Sequence, residues 1–428
     1  MTETRERWSS ELGLIAGAIG SAVGLGNIWL FPMLVGQNGG AAFLIPYFFF
    51  TFTFVWTGLV IEFNTGRIAQ QGPAGAYEEL GMPFGKYIGL IPGFRPLVVF
   101  AFYSSIAGWT LRYIGAPASD TFWQEPSAFF GTVNSGLNSA IFAVITVLLV
   151  GSIVYFGVKE GIEPATKGMI GLLFVLVVLL GIRSVLLPGS MEGLRFYLIP
   201  DFDKLTASVF LNAMAQAFFT ASLAGAPMIV YGSYLSEKAD TVTAAITTTF
   251  GNATIAILAG FAIFPAALAV GVEPESTGAG LLFISIPQIA QQIPGSTLVV
   301  VGFFVAAALA AISTGISILE VPVDTLRYHF GLSRKTVTPV LVGFIAIVAI
   351  PTAMSSELFD TLTTVVLYSG PLAALLAPLG LFWAYDAQNA LEQINAGPGI
   401  DLGGWFVYWG KYVYPAGILF AYLWDIFG

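Results

Sequence analysis

A run of glycines and one amide, Gly20-Ser-Ala-Val-Gly-Leu-Gly-Asn-Ile-Trp-Leu-Phe-Pro32, interrupts an apolar stretch from Leu12 to Gly36 that is long enough to cross a bilayer. In hydrocarbon an unpaired N–H or C=O costs several kcal/mol, so a broken helix is tolerated only where protein, water or a ligand satisfies the freed groups. The pattern predicts unwound backbone at this point and something bound to it. Glycine permits the break and, having no Cβ, a close approach to the main chain.

Composition agrees with a chain built in lipid. Of 428 residues 56% are apolar and 10% charged, with a mean hydropathy of +0.83, which describes a polytopic membrane protein and excludes an ordinary soluble domain. The mixed-charge residues 2–8 lead into a span too long for a cleaved signal peptide, so the first span is expected to be its own insertion signal. There is no cysteine, which excludes disulfides, thiolate metal sites and cysteine nucleophiles. The single histidine, His329, cannot build an imidazole cluster and is read as a surface residue. Neither His-Glu-x-x-His nor Gly-x-Ser-x-Gly occurs, so no enzyme is expected. The net charge of −9 comes from acidic loops and points to no nucleic-acid partner.

Hydropathy predicts eleven transmembrane helices, at about 12–36, 40–66, 91–114, 137–157, 167–188, 207–235, 241–270, 297–328, 336–353, 358–385 and 404–425. With the N-terminus cytoplasmic, twelve lysines and arginines fall inside against four outside (Arg112, Arg183, Arg195 and Lys204), which satisfies the positive-inside rule and places Gly428 extracytoplasmically. A second interruption, Phe219-Thr-Ala-Ser-Leu-Ala-Gly-Ala-Pro227, lies five spans after the first. The expected fold is therefore all-α: one membrane transport domain over 1–428, with inverted repeats at 1–188 and 207–385, each opening on a discontinuous helix, and an extra helix at 404–425. Glu62 lies in the middle of the second span, where burial favours its neutral form.

Several motifs resemble the neurotransmitter:sodium symporter family. They are Ala22-Val-Gly-Leu-Gly-Asn27 with Phe31-Pro32, Asn38 to Tyr47, Glu62 with Gly66-Arg67, Gln216 to Ser222, Tyr231-Gly-Ser-Tyr234 and Gly331 to Lys335. The resemblance runs from Arg5 to about Lys411, and some bacterial members of that family also stop after eleven spans. It implies sodium-coupled uptake with two sodium sites in a plasma-membrane protein. The first sodium would take the carbonyl of Ala22, the side chains of Asn27, Thr220 and Asn252, and a carboxylate oxygen of the substrate. The second would take carbonyls of Gly20, Val23 and Ala310 and the hydroxyls of Ser313 and Thr314.

The same resemblance implies an amino-acid substrate, because Gly24 stands where amine transporters carry an aspartate. Its carboxylate would rest on the N–H groups of Leu25 and Gly26 and on the Tyr103 hydroxyl. Its amino group would meet carbonyls of Ala22, Phe219 and Thr220 and the Ser222 hydroxyl. Ser21, Val99, Phe219, Gly225, Thr314 and Ile318 would surround the side chain, and the small Gly225 implies a large hydrophobic or aromatic one. Glu62 would clasp the unwound parts of helices 1 and 6, with proton coupling as the rival role.

The gates depart from the family. At the outer gate the arginine position is Leu30 and the acidic position aligns best with Thr363, or with Asp360 if the register slides by three residues; either way no salt bridge forms with Leu30, so closure would rest on an aromatic lid of Phe219 and Tyr103 with Leu30 as apolar cover. At the inner gate Arg5, Trp8, Ser233 and Tyr234 match, but the helix 8 aspartate is Tyr328, leaving Asp324 one turn earlier as a substitute. Of the chloride site Tyr47, Gln216, Thr220 and Asn252 are kept and the last hydroxyl is Ala256, which leaves chloride dependence undetermined. The run from Gly161 to Gly171 signals unwinding of helix 5 only weakly. A binding receptor that has lost its gates is the alternative to a transporter. The substrate and the bilayer are the expected partners, and oligomeric state is open.

Overall fold

The predicted break in the first span is present. In a computed structural model described over residues 5–223, 226–272 and 281–427, α1 (Glu11–Ala22) stops at Val23 and the chain resumes as α2 (Gly26–Gln37), its axis turned by 52°. There follow α3 (Ala41–Ala69), α4 (Gly85–Ile114), α5 (Gly136–Tyr155), α6 (Val158–Val185), α7 (Ala207–Thr220), α8 (Pro227–Ser233), α9 (Thr241–Ala269), α10 (Ser296–Phe330), α11 (Arg334–Met354), α12 (Ser356–Ala384) and α13 (404–427). No strand occurs among the described residues. Eight of their helices are long and apolar enough to cross a membrane, or nine if the bent pair is one span. The difference from the eleven expected has a local cause. Region 207–235 is divided into α7 and α8, both too short to span alone, and 404–427 is rich in tyrosine and tryptophan, which lowers its hydropathy.

Each break has a readable origin. Ser10 caps α1 by accepting from the Gly13 N–H at 3.0 Å. The helix ends in a three-residue turn, the Gly24 N–H donating to the Ala22 carbonyl at 3.1 Å, and α2 restarts with a π turn at Gly26–Leu30. A Cβ on Gly24 would lie 2.6 Å from Thr314 Oγ1, so the glycine also lets α10 close on the break. In the second break Ser222 (φ 54°) and Ala226 (φ 62°) occupy the left-handed region, before Pro227 starts α8. Ser222 Oγ donates to the Ser21 carbonyl at 2.6 Å, so the two breaks are bonded to each other.

Helix α10, 35 residues long, is the most buried of the long helices and packs against α1, α4, α5 and α6. On the other side α3 and α8 lie backbone on backbone: a Cβ on Gly66 would meet the Ile229 carbonyl at 1.8 Å, and one on Gly232 the Phe63 carbonyl at 2.4 Å. Leu148, Leu179 and Ile347 face outward, as lipid-facing positions do. Helix α6 stays helical through Gly161–Gly171; its irregularity is a π turn at Val158–Ile162 after Gly157 (φ 78°).

Candidate functional site

The expected first-sodium side chains meet where α2, α7 and α9 converge. Asn27, fully buried in the first turn of α2, donates through Nδ2 to the Asn252 carbonyl (3.0 Å) and to its Oδ1 (2.8 Å). Asn252 Nδ2 donates to Thr220 Oγ1 at 3.2 Å, and Gln216 Nε2 to the Gly26 carbonyl at 2.8 Å. Asn27 Oδ1 and Gln216 Oε1 are buried acceptors without a donor. A chamber with more acceptors than donors suits a hard cation, so the residues present fit sodium.

Of the expected second-sodium oxygens, the Gly20 carbonyl and the Thr314 hydroxyl meet between α1 and α10. Thr314 Oγ1 donates to the carbonyls of Gly20 (3.3 Å) and Ser21 (3.1 Å), and Ser313 Oγ to the Ala310 carbonyl (3.0 Å). A Cβ on Gly20 would lie 3.4 Å from that of Ser313, ordinary van der Waals contact, so α1 and α10 are in direct contact here. Val23 is the residue at which α1 ends.

Between these clusters lie the expected substrate residues. The Tyr103 hydroxyl is next to the Leu25 N–H and the Thr314 hydroxyl, yet it is buried without a completed hydrogen bond. Ile318 is buried and Val99 half-buried. The Phe219 ring covers Gly26, where a Cβ would meet it at 3.2 Å. Of the two residues expected to form the aromatic lid, Phe219 is 59% exposed and Tyr103 only 8%. Leu30 is half-buried, and Thr363 Oγ1 bonds its own helix at the Phe359 carbonyl (2.8 Å). Glu62 is buried in α3, one turn before the Gly66 that abuts α8. Tyr47 lies next to Thr220, and Ala256 is fully buried. Gly225 lies outside the described residues.

Two bonded polar positions on the helices that carry expected site residues escaped the sequence reading. Ser317 accepts from Ser21 Oγ at 2.7 Å and donates to the Thr314 carbonyl at 2.8 Å. Its spacing of four from Ser313 was the available signal. Arg95, four residues before Val99 on α4, donates to Ser369 Oγ (3.1 Å) and the Val366 carbonyl (2.8 Å) on α12. Gly370 makes the room, since its Cβ would lie 2.8 Å from Arg95 Nη2.

At the N-terminal face the segment before α1 is clasped from four directions. Arg5 pairs with Asp324 at 2.6 Å, the substitute carboxylate, donates to Ser233 Oγ, and stacks over the Tyr234 ring at 4.8 Å. Trp8 Nε1 donates to the Tyr231 carbonyl at 3.0 Å. Glu6 pairs with Arg334 (2.7 Å) and Arg327 (2.9 Å) and accepts from the Val158 N–H (2.8 Å). Arg334 holds buried Glu320 through both nitrogens, each at 2.6 Å, and Tyr234 donates to the same carboxylate. Glu163 of α6 accepts from the Ser9 N–H (2.8 Å) and the Ser10 hydroxyl (3.0 Å). Of these partners the sequence named only Asp324, Ser233 and Tyr234.

Burial on its own would raise the Glu6 carboxyl, but Arg334, the Val158 N–H and Arg327 outweigh it and hold it below the ordinary value of 4.5. A carboxyl depressed in the folded state contributes stability that is complete above its unfolded value and lost as pH falls through the lower folded one. Hydrogen exchange of residues 5–10, corrected for intrinsic rate, should therefore show constant protection from about pH 8 to about pH 5 and a loss only below about pH 4.5. Glu6→Gln should weaken that acid limb and leave only the part carried by Glu163, which holds Ser9 and Ser10. A midpoint near pH 6 would assign the acid-labile contact to another group.

Residues 5–133 and 130–427 match the family described as the sodium:neurotransmitter symporter family. The uncharacterized sodium-dependent transporter YhdH of Bacillus subtilis is 33% identical over 97% of both chains. A second, MJ1319 of Methanocaldococcus jannaschii, is 33% identical over 96% of this chain and 88% of its own. The crystal structure of MhsT in complex with L-phenylalanine superposes with a TM-score of 0.87 at 34% identity, covering 98% of this chain and 99% of that one. Broken helices facing one another, buried oxygens converging on both sides of them, and a match along nearly the whole length lead to one assignment: a multi-pass membrane transporter, not an enzyme, that belongs to the sodium:neurotransmitter symporter family.

Proposed function

We propose that the chain imports a neutral amino acid with a large hydrophobic or aromatic side chain, driven by sodium through alternating access. The observation that carries this is the bond from Ser222 to the Ser21 carbonyl, which joins two helix breaks flanked by acceptor-rich clusters. Ala22, Asn27, Thr220 and Asn252 would hold one sodium with a substrate carboxylate oxygen, and that shared oxygen couples the two cargoes. Gly20, Val23, Ala310, Ser313 and Thr314 would hold the other. The substrate carboxylate would lie on the N–H groups of Leu25 and Gly26, favoured there by the start of α2, and on Tyr103, the unsatisfied hydroxyl.

In the full reading, eleven spans include 207–235 and 404–425, the segments 1–188 and 207–385 form inverted repeats, the N-terminus is cytoplasmic and the C-terminus outside. The clasped N-terminal face and exposed Phe219 then describe an outward-facing state. Import proceeds by Phe219 closing toward Tyr103, after which Arg5, Glu6 and Glu163 release the segment before α1. The receptor alternative rested on lost gates, and Arg5 has its carboxylate in Asp324.

Substrate size is testable. Gly225 carries no side chain, Val99 and Ile318 are apolar, and the relative MhsT was crystallised with L-phenylalanine. In competition for sodium-dependent binding, affinity should climb from alanine through leucine to tryptophan, since buried apolar area contributes about 25 cal/mol per Å². Gly225→Phe should reject phenylalanine and tryptophan selectively. A preference for alanine over leucine, or unchanged tryptophan binding by the variant, would refute the size assignment.

A further inference from the structure

The break in the first span leaves the last carbonyls of α1 without helical partners, and side chains take them up. Ser21, next to last in that helix, has a carbonyl that accepts from two directions: from Ser222 Oγ of the second break at 2.6 Å and from Thr314 Oγ1 of α10 at 3.1 Å. A carbonyl has two lone pairs, so both are used. This one oxygen joins the second-sodium cluster, through Thr314, to Ser222, the hydroxyl expected at the substrate's amino group.

Thr314 adds a constraint. Its hydroxyl has one proton to give, and that proton is divided between the carbonyls of Gly20 (3.3 Å) and Ser21 (3.1 Å). With a cation on the Gly20 carbonyl and on Thr314 Oγ1, the proton is repelled from Gly20 and left to Ser21 alone. The bond to Ser21 then strengthens, and the carbonyl that Ser222 also holds is fixed more tightly.

Ser317 aims that carbonyl. It is fully buried, accepts from Ser21 Oγ (2.7 Å) and donates to the Thr314 carbonyl (2.8 Å). Together with the bond from Thr314 Oγ1, these contacts close a ring that holds Ser21 by side chain and main chain on a single turn of α10. We propose that Ser317 is a positioning residue for sodium–substrate coupling: it keeps the Ser21 carbonyl between Thr314 and Ser222, so that a cation at the second cluster orders the second helix break even without substrate. The role rests on the sodium-driven transport proposed above.

The test is hydrogen exchange of the full chain in detergent, in sodium against choline at equal ionic strength, with no amino acid added. The first break is read at residues 22–26, where the Gly24 N–H bonds the Ala22 carbonyl (3.1 Å), and the second at residues 219–223, where the Ser222 N–H bonds the Phe219 carbonyl (3.2 Å). Sodium should slow exchange at both in wild type. Ser317→Ala should keep the effect at the first break and lower it roughly fivefold at the second, the fold-change of one buried hydrogen bond. Ser21→Ala should lose as much, and the double variant no more, since both cut one route. Ser139→Ala, which breaks the buried bond from Trp109 (2.8 Å), should change neither break. Asn27→Ala, directed at the other cluster, should leave the second break responsive. Sodium protection of the first break alone in wild type, an unchanged second break or an equal loss at both in Ser317→Ala, or an unresponsive second break in Asn27→Ala would overturn the proposal while leaving sodium binding in place. No response to sodium at either break would remove the sodium reading itself, and the proposal with it.

Discussion

Asn27→Ala is expected to raise the sodium concentration for half-maximal uptake by roughly 10- to 150-fold, because losing a buried contact to a charged group costs about 1.5–3 kcal/mol and each 1.4 kcal/mol is about tenfold. Asn27→Ala removes one unsatisfied acceptor, its own Oδ1, and leaves another, Asn252 Oδ1, without the Asn27 donor, so the balance of unpaired groups is unchanged and folding should survive. Ser313→Ala with Thr314→Val removes two oxygens at the other cluster and should abolish sodium-driven accumulation. Sodium titration of uptake in proteoliposomes reads both effects. Uptake that continues undiminished in choline or potassium, or that follows a pH gradient alone, would remove the sodium assignment and bring proton coupling at Glu62 forward.

Arg334→Ala should collapse the N-terminal network. Glu320 is fully buried with both oxygens on that guanidinium, and breaking one partner out of such a pair costs about 3–5 kcal/mol through the charge left behind. Arg334 also pairs with Glu6, so the segment before α1 loses that contact together with the pair beneath it. Protection of residues 5–10 against hydrogen exchange should fall accordingly. Arg334→Met with Glu320→Leu removes both charges and should recover most of the protection, although Glu6 keeps only Arg327 and the Val158 N–H. Additive losses in the double variant would mean that the pair is uncoupled and that the network is held elsewhere.

Which parts of this protein could be read early follows from range. Gly24 and Gly26 announce the first break within their own segment, and Ala22, Asn27 and Thr220 follow from local motifs. Asp324 was legible as the partner of Arg5 because it lies one turn from the position where the family keeps its acid. Glu6, Glu163 and Arg334 were not. In the sequence they are charges near span ends, and most such charges are solvated. Ser317 and Arg95 sat unmarked in apolar runs, their partners on helices far away in the chain.

What this sequence determined by itself is where the chain must be helical and where it must stop, because hydrocarbon penalises every unpaired backbone group at the residue that carries it. Apart from Arg5 and Asp324, the tertiary structure decided which charged groups meet which partners. Glu6 reaches Arg334 across 328 positions and Arg95 reaches Val366 across 271, and such pairings depend on where packed helices bring side chains together, which no local pattern encodes. It also decided that the clasp is closed while Phe219 is exposed, a choice between alternative packings of the same helices.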